Sequence, residues 1–314
     1  MRPAGPVRTR TMTLTSTLEN LTRRVLPPAG ARLAKRLAVG PRYRAQAARA
    51  RKAFREHGHR YTHPVIFVAG LPKSGTTWLE RMLGSFPGYS EVLIPDVAAY
   101  ELSSGGSDKY DLPPGMFDRF RGMLVLTKMH VHGSEHNVRV LADAGVPYAV
   151  LFRDLRDVAV SNIHYVANTP WHPEHPHYKG ADTERGLHVF ADRGTLADYA
   201  GWIRSWRANR DPERSIELRY EDLLADPFGR LRAVADHFEL AATDEEMERI
   251  GEANSFKRLS QGRDQGEQAT DSSFFRKGVA GDWVNHFTPG LREKYKAIIG
   301  DLLVELGYEQ DHAW

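Results

Sequence analysis

The chain of 314 residues contains no cysteine. This excludes disulfide staples, thiol nucleophiles and thiolate-held metals, and it accords with a reducing compartment. No run approaches the roughly 18 apolar residues that a membrane helix needs. The basic N-terminus is not followed by the apolar core of a signal peptide, so a cytoplasmic protein is expected. Internal repeats are lacking. Acid is scarce at one end only: residues 1–60 hold two acids against fifteen Lys and Arg, whereas positions 61–314 hold thirty-eight acids against twenty-eight bases. The net charge of +3 therefore conceals a +13 arm on a −10 remainder.

Such an arm can bind nucleic acid, lie on an anionic membrane or dock on its own acidic domain. Aromatic interleaving and nucleic-acid motifs are both missing, so no nucleic-acid partner is expected; anionic membrane contact and self-docking stay open. Within the arm, residues 1–16 read as irregular. Helices are expected over 18–26 and 31–55, interrupted at Pro27-Pro28. The domain organisation expected is the basic, partly helical arm (1–60) and one domain over 61–314.

Apolar residues make up 41% and charged residues 26%, as in ordinary soluble proteins. The run Val65-Ile66-Phe67-Val68-Ala69 is wholly apolar and rich in β-branched residues, the signature of a strand buried on both faces. Further strands are predicted over 123–127, 148–152 and 215–219. Helices are predicted from 77 to 83, around 134–144, and over 158–165 and 227–238. The alternation defines an α/β fold: three layers, helix–sheet–helix, around a central parallel sheet. In such sheets ligands bind beyond the carboxyl ends of the strands. Three polar segments fall there: 70–77, 128–132 and 153–161.

The first, Gly70-Leu71-Pro72-Lys73-Ser74-Gly75-Thr76-Thr77-Trp78, joins a strand to a helix, where free backbone N–H groups make an anion site. Lys73 adds charge, and Ser74, Thr76 and Thr77 add hydroxyl donors. It is not a Walker A loop, because the Lys precedes the last Gly by two residues instead of following it. A tight turn with incidental Gly and Lys is the plainer reading of this segment alone.

The segment GLPKSGTTW resembles the 5′-phosphosulfate loop of the cytosolic-type sulfotransferase family. Two further segments resemble that family in the same order: FRDLRDVAVS (152–161), like its 3′-phosphate segment, and RKGVAGDW (276–283), like its late RKGxxGDW motif. The resemblance implies a P-loop NTPase-like fold and a donor co-substrate, 3′-phosphoadenosine 5′-phosphosulfate, used without a metal. It implies that Lys73, Ser74, Gly75, Thr76 and Thr77 hold the 5′ end. Arg153, Ser161, Arg276, Lys277 and Gly278 would hold the 3′-phosphate. Trp78, Tyr220 and Phe256 would wall the adenine, with Asn254 and Ser255 beside them. Lys-x-His at Lys128 and His130 is similar to the family's catalytic segment, pointing to His130 as general base with Lys73 and Lys128 as electrostatic partners. Ser161 would hold Lys73 back until the acceptor binds.

Other residues compete for these roles. His132 is the rival base, and Glu80, the nearest carboxylate, is expected to face solvent. The segment His172-Pro173-Glu174-His175-Pro176-His177 could bind a metal by composition, but its prolines argue against a regular helix and favour a mobile loop over the acceptor pocket. Residues 86–120 and 166–195 are expected to line that pocket. The family's dimer segment is half matched: Thr288 and Glu293 stand, Val284 and Pro289 depart, so no oligomeric state is read from it. The resulting expectation is a sulfotransferase acting on a hydroxyl or amine of a small acceptor. The alternatives are a nucleotide-dependent kinase and a non-catalytic nucleotide-binding or membrane-docking protein.

Overall fold

The computed structural model describes residues 28–104, 106–170, 172–267 and 277–314. The expectations for residues 1–26 and for Arg276 lie outside these residues. Five strands form one parallel sheet: β1 (Val65–Gly70), β2 (Ser90–Glu91), β3 (Val125–Met129), β4 (Tyr148–Phe152) and β5 (Ser215–Arg219), in the order β2-β3-β1-β4-β5. The predicted run in β4 is matched residue for residue. β3 begins and ends two residues later than predicted, so Lys128 stands on the strand and not in the loop after it.

Alternation along the central strands sorts the core into two layers. Phe67, Ala69, Val125, Tyr148, Val150 and Phe152 pack on one face. Ile66, Val68, Leu126, Ala149 and Leu151 pack on the other. Burial on both faces is why β1 and β4 read as uninterrupted apolar runs.

Helices cover both faces. The first, α1 (Pro28–His57), belongs to the basic arm by sequence, yet its second half joins the core. Ala47 and Ala50 are buried, Leu124 N–H donates to Ala50 O at 3.2 Å, and Leu93 N–H donates to Gln46 Oε1 at 3.0 Å. Arg36 of α1 pairs with Asp96 of α3 (Pro95–Ser104). Between them in sequence, α2 (Thr76–Leu83) follows the anion loop directly. Helix α4 (Glu135–Asp143) is capped by Ser134 and α5 (Leu155–Ala167) by Asp154, whose side chain accepts from Arg156 N. That cap starts α5 three residues before the expected position, because an N-cap side chain satisfies a free amide of the first turn.

The His-rich segment departs from its expected loop. It contains a one-turn helix, α6 (His175–Tyr178), with Pro176 in its first turn, where a missing N–H has no helical acceptor to lose. His175 Nδ1 is held 2.9 Å from Val166 O. Then come α7 (Thr183–Asp192), α8 (Thr195–Asn209), α9 (Tyr220–Ala225), α10 (Pro227–His237), α11 (Asp244–Ala253), α12 (Phe256–Leu259) and α13 (Pro289–Glu305). The chain crosses β1 on its way from β3 to β4. That crossing opens a crevice at the carboxyl ends of the three strands.

Candidate active site

A cavity of ≈ 690 Å³ fills this crevice. Four strand ends supply it: the loop after β1, Lys128 and His130 at β3, Arg153 at β4 and Tyr220 at β5.

The loop after β1 is shaped for an anion. Lys73 has φ 67° and Gly75 φ 82°. A left-handed Lys is a backbone outlier of the kind stored at ligand-binding turns. A Cβ at Gly75 would lie 2.7 Å from Tyr220 Cδ2, so only glycine lets loop and ring approach. Ser74 is fully buried, and its Oγ has no hydrogen-bond partner among the described residues. Ser74 is not among the residues that line the cavity. Lys73 Nζ lies 4.0 Å from the Tyr165 ring centre, a cation–π contact. Thr76, Thr77 and Trp78 line the cavity from the first turn of α2.

Arg153 is 7% exposed. Its Nη2 donates to Asp157 Oδ2 at 3.0 Å and to Val279 O at 2.7 Å, and its guanidinium stacks 4.3 Å from the Tyr220 ring centre. Its buried Nε has no partner among the described residues. The ion pair with Asp157 is buried. Asp157 also accepts from Gly281 N at 2.7 Å and Trp283 N at 2.9 Å, which ties the late GDW segment to the start of α5. Asp154 pairs instead with Arg156, which stacks between Trp283 and Trp314 at 3.8 and 4.4 Å and also bonds Glu309.

Ser161, Phe256, Lys277 and Gly278 line the cavity as well. Lys277 Nζ already donates to Asp282 Oδ1 at 2.7 Å. Trp78 and Tyr220 meet edge to face at 6.1 Å. Trp78 Nε1 donates to Asn254 O at 2.8 Å, so Asn254 fixes the indole through its carbonyl. The Asn254 side chain donates to Ser85 Oγ and Ile250 O, and Ser255 Oγ caps α12. Both side chains are therefore committed within the protein, and neither residue lines the cavity.

His130 is gripped at three points. Its N–H donates to Ser107 Oγ at 3.1 Å, its carbonyl accepts from Trp202 Nε1 at 2.7 Å, and its Nδ1 lies 2.5 Å from Gly70 O. A carbonyl only accepts, so Nδ1 carries the proton and Nε2 keeps the lone pair. Burial, aided by Lys128 and Lys73, pushes the imidazole down to about 4, against the opposing pull of the Gly70 carbonyl and Asp108. The ring is thus a neutral base at ordinary pH. His132 does not line the cavity; its N–H donates to Asp108 O.

Glu80 corrects its expectation. It does not face solvent: it pairs with Lys128 Nζ at 2.5 Å, with side chains only 13% and 21% exposed. The helix turns this position toward β3, which sequence spacing alone could not reveal.

The rest of the cavity wall comes from Leu93, Glu101, Leu102 and Asp108 on one side and from His172, Pro173, Glu174 and Tyr178 on another, within the two segments expected. Tyr165, Asp198 and Tyr199, and Lys35, Val39 and Arg42 of α1, were not foreseen. No signal in a basic, Ala-rich helix marks it as a pocket wall. Among the described residues no cluster of three metal-ligating side chains occurs.

Fold and loop together define an α/β nucleotide-type anion-binding protein, with the ligand crevice at a parallel sheet's topological switch. Residues 63–307 match the sulfotransferase domain family, and the chain belongs to it. It is 26% identical over 275 residues to cytosolic sulfotransferase 15 of Arabidopsis thaliana, covering 80% of this chain and 75% of that one. Its fold resembles mouse sulfotransferase SULT7A1 complexed with PAP (TM-score 0.58, 20% identity, 77% and 85% of the two chains). It also resembles retinol dehydratase in complex with androsterone and inactive cofactor PAP (TM-score 0.55, 20% identity, 80% and 85%).

Proposed function

We propose that this sulfotransferase moves a sulfuryl group from 3′-phosphoadenosine 5′-phosphosulfate to a hydroxyl or amine of a small acceptor, with His130 as general base. The observation that carries this reading is a pair of buried donors without partners among the described residues. Ser74 Oγ lies in the loop after β1 and Arg153 Nε just past the end of the adjacent β4. Two separated anion sites joined by the Trp78–Tyr220 wall suit a donor with phosphate groups at both ends. A nucleoside triphosphate is matched less well, because the loop lacks the Lys-Ser/Thr ending that holds magnesium. The PAP bound in both solved relatives, and the androsterone in one, support the donor and the small-molecule acceptor.

The bound donor supplies an activated sulfuryl group. The protein's own residues do the rest. His130 Nε2 takes the acceptor proton, and Lys73 and Lys128 meet the negative charge that grows on the leaving oxygen. Gly70 O keeps the imidazole in the correct tautomer throughout. The donor's negative charge raises the affinity of His130 for a proton at the moment it must act as a base.

The arm fits the same reading. Leu33 and Leu37 of α1 are 57% and 70% exposed, one turn apart, beside Arg32 and Arg36. A basic helix with exposed leucines suits peripheral contact with an anionic membrane. A cytoplasmic setting is supported by the cytosolic plant relative.

Calorimetric titration of the full chain with 3′-phosphoadenosine 5′-phosphate, with ATP as control and magnesium omitted, tests the donor. Micromolar or tighter binding of the bisphosphate and weak binding of ATP are expected. Preference for ATP would move the kinase reading to the front.

A further inference from the structure

The two chemical groups of β3 are held by one neighbouring unit, the β1–loop–α2 segment that forms the anion site. Gly70, at its start, accepts from the His130 ring. Glu80, in the second turn of its helix, holds Lys128. We propose that Glu80 is a positioning residue: its carboxylate anchors the Lys128 ammonium beside the anion loop, so that the lysine reaches the leaving oxygen without searching for it. This rests on the donor reading above.

A lysine has a four-carbon stem and several rotatable bonds, so its charge is only as well placed as its partner. Lys128 has a second suitor. Glu101 of α3 lines the same cavity, and its carboxyl feels the Lys128 charge while bonding Ser107. Without Glu80 the ammonium would lean toward α3, on the acceptor side, and away from the donor. The charged and titratable groups facing the pair are Glu101 from α3, Glu91 from β2, Arg81 from α2 itself, and the neutral His130 just past β3. Burial raises the Glu80 carboxyl, while Lys128 holds it down. The pair thus sits where charge interactions are strong and water competes weakly.

The test uses the full chain and the donor alone, reading sulfate released from radiolabelled 3′-phosphoadenosine 5′-phosphosulfate with water as acceptor. Glu80→Gln should slow release about tenfold while leaving bisphosphate affinity within about threefold, since a misplaced lysine fails the transition state more than the ground state. Glu80→Asp should recover part of the rate. In a Lys128→Met background, Glu80→Gln should cost nothing further, because residues acting through one another are not additive. An unchanged rate in Glu80→Gln, or losses that multiply in the double variant, would overturn the proposal. Failure of the donor reading looks different: the wild type itself would not bind the bisphosphate. The pairing is then decided by NMR of 15N-labelled lysine side chains. The Lys128 ammonium should be held still in the wild type and become mobile in Glu80→Gln, and unchanged side-chain motion sinks the anchor.

Discussion

Replacing Arg153 by Ala isolates the second anion site. The guanidinium has spent both Nη2 hydrogens on Asp157 and Val279, and its buried Nε has no partner among the described residues. A phosphate that meets it at Nε gains one charge-assisted hydrogen bond at about 1.5–3 kcal/mol. Water refilling the space recovers part of that, so a net loss of about 1.5–2.5 kcal/mol is expected, a factor of roughly 10–10² in Kd. Removing the arginine also strips a buried cation from Asp157. Two backbone amides, Gly281 N and Trp283 N, still hold that carboxylate, so the fold should survive with lowered stability. Arg153→Lys guards against misreading that cost: it keeps a charge for Asp157 and loses the fork, and it should bind with intermediate affinity. The assay is calorimetry with 3′-phosphoadenosine 5′-phosphate and, in parallel, adenosine 5′-phosphate, which lacks the 3′ group. The loss should appear with the first ligand and nearly vanish with the second. Equal losses for both, or no loss for either, would refute the assignment of Arg153 to the 3′-phosphate.

Four further outcomes follow from the geometry. The His130 ring should titrate near 4 in the free protein and move upward when the bisphosphate binds, as read by NMR of its ring signals; a free-protein midpoint near 6.5 contradicts the burial argument. Because the folded value lies below the unfolded one, His130 removes stability as pH falls from about 6.5 toward 4, and His130→Asn should flatten that slope in pH-dependent denaturation. Gly75 and Gly194 share φ 82°, but only at Gly75 would a Cβ strike Tyr220. Both Ala variants should therefore lose about 1–2 kcal/mol from left-handed strain, and Gly75→Ala alone should also lose tenfold or more in bisphosphate affinity. In co-sedimentation, vesicles rich in phosphatidylserine should retain the wild type and lose it when Leu33 and Leu37 are both Ser; phosphatidylcholine vesicles should retain neither. Retention unaffected by that double change removes α1 from the membrane contact.

What could be read beforehand divides along a physical line. The strands β1 and β4 were legible because burial on both faces writes itself into a short run of adjacent residues. The turn from strand to helix after β1 was legible for the same reason, since its glycines, lysine and hydroxyls fall within nine positions. β3 was mis-registered by two residues because Lys128 looks like a loop residue. It stays in the strand because Glu80, 48 positions earlier in the chain, satisfies its charge. Glu80 was assigned to solvent since nothing local says which helix face meets β3. The grip of Gly70 on His130 and the indole bond to Asn254 span 60 and 176 positions, and contacts between such distant segments leave no local trace. The Pro-rich histidine segment misled in the other direction: Pro176 forbids a helix interior, but α6 has only a first turn.

The long helix before the sheet carries a consequence for how this protein can change. Residues 63–307 are what it shares with its family, yet Lys35, Val39 and Arg42 wall its cavity from outside that span. One wall of the cavity thus lies outside the stretch that holds the rest of its lining. Substitutions in α1 can remodel what enters the cavity while the anion loop, Arg153 and His130 stay as they are. A chain cut back to the shared domain would lose one side of this cavity together with the core contacts of Ala47 and Ala50.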